Sequence, residues 1–190
     1  MSTAKEATRL VTAEELWALP EQPGVRYELA EGELVEVPGA GGVHAQIVMT
    51  LVVLLHAFVS ERKLGRVFAD GLGYILRRNP DVLRIPDVSF VARERIPAGG
   101  IPEGFWPGAP DLAVEIVSPN DLAQEINDKV HQYLEVGTRM VWVLWPNRRT
   151  VTVYLPEGQL RDLGPNDELD GGEVLPGFSV RVASLFEVAQ

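Results

Sequence analysis

Residues 112–119 read LAVEIVSP, an apolar run closed by the turn signal Ser118-Pro119-Asn120. A run of this length without polar alternation is the pattern of a strand covered on both faces, in a parallel or mixed sheet. Glu115 interrupts it. Side chains alternate along a strand, so Glu115 shares a face with Ala113 and Val117. A carboxylate there must take up a proton, pair with a cation or coordinate a metal, because an isolated buried charge costs several kcal/mol, order of magnitude.

The rest of the chain predicts what surrounds that strand. Thr12 and Glu15 in VTAEELWAL are spaced as a capping box, which predicts a short helix ending before Pro20. RYELAEGELVEVP alternates apolar and polar residues on each side of Glu31-Gly32, the pattern of a hairpin. GAGGVHAQIVMTLVVLLHAFVSERKLG predicts a long helix with His44, Ile47, Val48, Leu51, Leu55 and Phe58 on one face, set to cover a sheet. GRVFADGLGYILR, VLRIPDVSFVAR and PDLAVEIVSP follow as three strands, and NDLAQEINDKVHQYLEVG as a second helix with Gly137 near its end. MVWVLWPNRRTVTVYLP reads as a strand with a hairpin return at Pro146-Asn147. PEGQLRDLGPNDELDGGE carries six acids and one arginine and reads as a solvated loop, and GEVLPGFSVRVASLFEV as short strands with a closing turn. The expected architecture is α/β or α+β: a mixed sheet flanked by helices, with an N-terminal β-hairpin extension. One domain over 1–190 is expected, with residues 1–38 as the extension, 43–155 as the core and 156–190 as C-terminal strands.

A search for the partner of Glu115 leads to the second helix. At about 100° per residue its apolar arc holds Val136, Leu122, Tyr133, Ile126, Val130, Ala123 and Leu134, and Lys129 falls inside that arc. Alone, Lys129 fits a snorkelling stem as well as a functional role. Asp87, in RIPDVSFV, is a second acid in an otherwise apolar strand, with Pro86 before it; alone it fits a turn-forming Pro-Asp pair. Two acids on adjacent strands and an inward lysine admit two readings together: a buried ion-pair cluster, or a site in which two carboxylates hold a hard divalent cation such as magnesium beside a phosphodiester.

These residues carry a resemblance. The order of helix, strand, strand with Pro86-Asp87, strand with Glu115 and helix with Lys129 resembles the PD-(D/E)XK nuclease superfamily, the restriction-endonuclease-like fold. YELAEGELVE, His44, IPDVSFV, PDLAVEIVSP, DKVHQYLEVGTRMVWVLWP and the tyrosine of TVTVY are similar to a bacterial family of candidate nucleases once catalogued as a domain of unknown function. The match runs over roughly residues 12 to 187. It implies a divalent-metal-dependent endonuclease acting on DNA, with magnesium or manganese held by Asp87 and Glu115. Val117 stands where the superfamily pattern has its lysine; the narrower family implies that Lys129, on the following helix, takes that role. Glu28 matches an acidic position in the family's hairpin and could complete a metal site, although a solvent-facing strand glutamate fits it equally. His44 could touch a phosphate or water near the helix N-terminus, or be a satisfied buried histidine. Tyr133, one helical turn after Lys129, reads as packing that orients the lysine.

Other chemistries find no footing. There is no cysteine, hence no disulfide, thiolate metal site or cysteine nucleophile. Neither phosphate-loop glycine pattern, no HExxH and no GxSxG occurs. A glycosidase using Glu115 and another carboxylate sits poorly with an inward lysine. The N-terminus lacks the basic and apolar regions of a secretory signal, and IVMTLVVLLHAFV is short for a bilayer span, so a cytoplasmic protein with no membrane partner is expected. The net charge of −10 argues against holding nucleic acid by a broad basic surface and implies a narrow basic groove, a partner, or the joined surface of a homodimer or higher homo-oligomer. A non-catalytic binding or assembly module that keeps the three charges as structural ion pairs is the rival reading.

Overall fold

The computed structural model describes residues 9–187 apart from positions 21, 23, 38, 70 and 120. Helix α1 (Ala13–Trp17) starts as its sequence predicts: the Glu15 N–H donates to Thr12 Oγ1 at 3.2 Å and the Thr12 N–H donates to the Glu15 carboxylate at 3.0 Å. Strands β1 (Arg26–Ala30) and β2 (Glu33–Val37) form the hairpin. Glu31 and Gly32 between them have φ of 52° and 78°, the two positive values that a tight hairpin turn demands. Helix α2 (Gly42–Arg62) ends at Lys63, which takes a left-handed conformation as the cap.

Two of the three expected central strands are each divided. GRVFADGLGYILR becomes β3 (Gly65–Ala69) and β4 (Tyr74–Arg77), and VLRIPDVSFVAR becomes β5 (Val82–Arg84) and β6 (Val88–Ala92). At the first break Gly71 has φ 121° and Gly73 leaves no room for a side chain, since a Cβ would lie 2.6 Å from the Phe105 ring. At the second, Pro86 has no N–H to donate to a ladder. The chain continues through β7 (Trp106–Pro107), β8 (Leu112–Ile116), α3 (Ala123–Glu135), β9 (Met140–Trp145) and β10 (Thr150–Tyr154). It ends in β11 (Leu160–Leu163), β12 (Glu168–Asp170), β13 (Ser179–Arg181) and α4 (Val182–Leu185).

The divided strands change sheets at their breaks. One sheet has the order β2-β1-β5-β4-β7; the other has β11-β10-β9-β8-β6-β3. In the second, β8 and β9 are parallel, joined by the crossover helix α3, and the other pairs are antiparallel. Its central strand β8 is covered on both faces, as its apolar run demands. Leu112, Val114 and Ile116 pack in a core with Ile47, Leu51, Leu55 and Val59 of α2. Ala113, on the opposite face, packs with Ile126, Val130 and Tyr133 of α3 and with Tyr74 and Val82 of the first sheet. The two sheets therefore meet on the face that carries Glu115.

One further expectation is corrected. The acidic segment after Tyr154 is not a loop: β11 pairs with β10, and β12 with β13. Leu169 within it is fully buried, while Asp162 accepts from Thr152 Oγ1 at 2.7 Å and Asp170 pairs with Arg161 at 2.8 Å. The apolar stretch of α2 extends into a helix of 21 residues, long and apolar enough by length and composition to cross a membrane. Its inner residues are engaged in the protein core just described.

Candidate active site

The site grows from the junction of β6 and β8. Val88 pairs with Val114 in antiparallel register, so continuing the ladder by one residue sets Asp87 opposite Glu115. The Asp87 N–H donates to Val114 O at 3.0 Å, and Asp87 Oδ2 accepts from the Ile116 N–H at 2.6 Å. Oδ1 faces α2, where His44 Nε2 lies at 3.0 Å. The side chain of Asp87 is thus fixed by a strand, while His44 is held at the first turn of a helix that the sheet itself positions.

Glu115 is buried within β8 and has two partners on α3. Tyr133 Oη donates to Oε1 at 2.9 Å and Lys129 Nζ donates to Oε2 at 3.4 Å. Lys129 also donates to Glu28 Oε1 at 3.0 Å, crossing to β1 in the other sheet. Both oxygens of Glu28 are engaged: the Ile85 N–H reaches Oε1 at 2.9 Å and Arg84 reaches Oε2 at 2.8 Å. Arg84, itself buried, donates through Nε to Gln132 Oε1 on α3 at 2.7 Å.

Electrostatics separates the two glutamates. Burial pushes the Glu115 carboxyl up, Lys129 opposes this, and the negative charges of Asp87 and Glu28 add to it, leaving its pKa at about 7. Burial also acts on Glu28, but Lys129, Arg84 and the Ile85 N–H together hold it below its ordinary value. Burial would lower the Lys129 ammonium, and Glu115 and Glu28 outweigh burial and raise it. Lys129 is therefore a fixed cation, Glu28 a fixed anion, and Glu115 a carboxyl that exchanges its proton near neutrality.

Glu28, His44, Asp87, Glu115 and Lys129 all line one pocket of about 450 Å³. All five residues singled out in the sequence are thus brought together. Among the described residues, no three histidine or acidic side chains are grouped to hold one metal ion. Asp87 and Glu115 do form a hard-oxygen pair of the kind that binds magnesium while it keeps most of its water. Burial is the main cause of the raised pKa of Glu115, and the negative charges of Asp87 and Glu28 add to it; a divalent ion beside the carboxylate would oppose both. The donor set fits such an ion at Asp87 and Glu115, with Glu28 behind Lys129 as a third acid; each oxygen of all three already has a partner, so a bound ion would share or displace those contacts.

Three features lie outside the sequence reading. Tyr133 orients the acid Glu115 and not the lysine. Arg84 and Gln132 form the outer part of the network; Arg84 stands in an apolar strand, VLRIPDV, as Glu115 does in its own, and that signal was available. Glu28 is buried because the second sheet and α3 close over β1, which alternation along a hairpin does not reveal.

Comparison with known proteins identifies the fold and the family. The chain is similar to a crystal structure described as "a putative nuclease belonging to DUF820 from Anabaena variabilis", with 25% identity and a TM-score of 0.81, over 93% of this chain and 97% of that one. No curated protein matches the chain. Residues 13–183 match a family model described as "Putative restriction endonuclease". The fold is restriction-endonuclease-like, and the chain belongs to the Uma2 family.

Proposed function

We propose that this protein is a divalent-metal-dependent endonuclease that hydrolyses phosphodiester bonds, with DNA as its substrate. The observation that carries the reading is the convergence of Asp87, Glu115 and Lys129 in one pocket, two acids from neighbouring strands and one ammonium from the crossover helix. Family membership supports the nuclease class, and the acids support the metal. Asp87 and Glu115 would hold magnesium or manganese. When bound, such an ion supplies polarisation of a phosphoryl oxygen and a water acidic enough to attack at neutral pH.

The protein's own groups do the positioning. Lys129, held by Glu28, presents a permanent positive charge beside the acids, where it balances charge developing on the phosphate and orients the attacking water. Tyr133 holds the Glu115 carboxyl in one rotamer by its hydroxyl, and Arg84 with Gln132 holds Glu28 against the lysine. His44 is set against Asp87 at the edge of the pocket, where it can touch a phosphate oxygen. A homodimer would bring two such sites to the two strands of a duplex.

A second reading rests on one specific observation: Lys129 already pairs with both glutamates, as in a self-sufficient ion-pair cluster. On that reading the chain is a non-catalytic module. Cleavage of plasmid, single-stranded DNA and RNA with magnesium or manganese, and with EDTA, separates the two, beside calorimetric titration of the metals. The nuclease requires metal-dependent cleavage and metal binding, the binding abolished by Asp87→Ala. Cleavage that survives in Asp87→Ala, Glu115→Gln and Lys129→Met alike, or that persists in EDTA, removes the proposed mechanism.

A further inference from the structure

The acidic net charge of the chain makes the fate of each basic residue informative. Most exposed arginines are neutralised locally: Arg77 pairs with Glu31, Arg78 with Glu14 and Asp81, Arg95 with Asp111, and Arg62 with Glu61. Lys63, Arg66 and Arg93 differ, as do Arg139, Arg148 and Arg149, and Arg66 Nη1 donates to its neighbour's carbonyl, Gly65 O, at 3.2 Å. Among the described residues none of Lys63, Arg66 and Arg93 has a carboxylate partner, although these three come from separate elements: the cap of α2, strand β3 and the turn that follows β6. They surround one concavity of about 480 Å³, completed by Ser60, Gly65 and Ile96.

The floor of this concavity is rigid. The Arg93 N–H donates to Leu64 O at 2.8 Å, and Gly65 pairs with Ala92 so closely that a Cβ would lie 2.1 Å from Val91 O. The backbone positions of the three cations are therefore fixed relative to one another. The C-terminal end of α2 brings partial negative charge, but the Lys63 and Leu64 N–H groups cap the Ser60 and Val59 carbonyls at 3.3 and 3.0 Å. Three full charges exceed the roughly half charge of a helix end.

We propose that this pocket is a second anion site, built for a phosphate group and separate from the acid pocket. Phosphate offers three oxygens and up to two charges to two guanidinium forks, an ammonium and the Ser60 hydroxyl; a carboxylate offers two oxygens and one charge. The site lies at the opposite end of α2 from His44, roughly 30 Å away at about 1.5 Å per helical residue. It therefore cannot serve the same phosphate as Asp87 and Glu115, and its existence does not depend on catalysis there. The phosphate would come either from a nucleic-acid backbone or from a free nucleotide.

Fluorescence anisotropy with a labelled single-stranded oligonucleotide in EDTA tests the proposal, beside calorimetry with inorganic phosphate and a 5′-mononucleotide. The variant Lys63→Gln/Arg66→Gln/Arg93→Gln alters exposed side chains only, and circular dichroism checks its fold. Wild type should bind, the triple variant about tenfold more weakly, and Arg139→Gln/Arg148→Gln/Arg149→Gln, which removes the same charge elsewhere on the surface, like wild type. If the source is a backbone, the salt slope should be shallower by about 2 in the triple variant, at about 0.7 per lost contact. If it is a nucleotide, the mononucleotide alone should show the same loss. Binding unchanged in the triple variant, equal weakening in the Arg139→Gln/Arg148→Gln/Arg149→Gln control, no binding of any phosphate compound, or displacement by an acidic peptide in preference to phosphate would each overturn the proposal. None of these outcomes bears on whether the acid pocket cleaves.

Discussion

Replacing Glu115 by Gln should raise the stability of the protein relative to wild type as the pH increases. The folded carboxyl titrates at about 7, against an ordinary value of 4.5. Between those values the native state keeps a proton that the unfolded chain has released, so wild-type stability falls as pH rises through this window. The gap, at about 1.4 kcal/mol for each pH unit, amounts to roughly 3 kcal/mol. The amide does not titrate, keeps an oxygen to accept from Tyr133, and leaves Lys129 paired with Glu28. At pH 4.5 the two proteins should be nearly equal, because protonated Glu115 resembles Gln. At pH 8 the variant should lead by up to about 3 kcal/mol, or roughly 6–12 °C in Tm for a chain of this size. Paired thermal and urea unfolding in EDTA across that range measures the difference, in which the titration of groups remote from Glu115 cancels. A difference that stays flat, or that shrinks as the pH rises, would refute the burial and charge crowding assigned to Glu115.

Tyr133→Phe removes a fully buried hydroxyl that donates to Glu115 at 2.9 Å. The loss should be about 1–3 kcal/mol above neutral pH and smaller at pH 5, where the carboxyl no longer depends on that donor; urea unfolding at the two pH values reads the contrast. Gly65→Ala places a methyl group 2.1 Å from Val91 O and 2.8 Å from the Phe90 ring. Edge strand β3 should then lose its register on β6, lowering stability by about 1–3 kcal/mol or more and exposing the β3 amides to hydrogen exchange.

The residues that could be read from sequence are those whose charge stands against an apolar background. Glu115 in LAVEIV, Asp87 in IPDVSFV and Lys129 on the apolar arc of its helix are each out of place locally, and they meet in space. Glu28 is hidden among Glu33 and Glu36 in a hairpin that alternates as a solvated one would. Its burial comes from a second sheet, a relation between distant segments. The two sheets were themselves illegible for a related reason. β3 and β4, like β5 and β6, lie within continuous apolar segments, and hydropathy does not record that Gly71, Gly73 and Pro86 pass the chain from one sheet to the other. The strands of the acidic segment were missed because their outward side chains are charged, while inward Leu169 is a single residue in a short strand.

Lys129 is a joint as well as the proposed reagent. Its ammonium grips Glu28 on one sheet and Glu115 on the other, so the two halves of the molecule are riveted through the atom that chemistry would use. Natural selection on folding alone would then guard this lysine in a descendant that had given up cutting. The same ion pairs serve the architecture whether or not the pocket turns over a substrate.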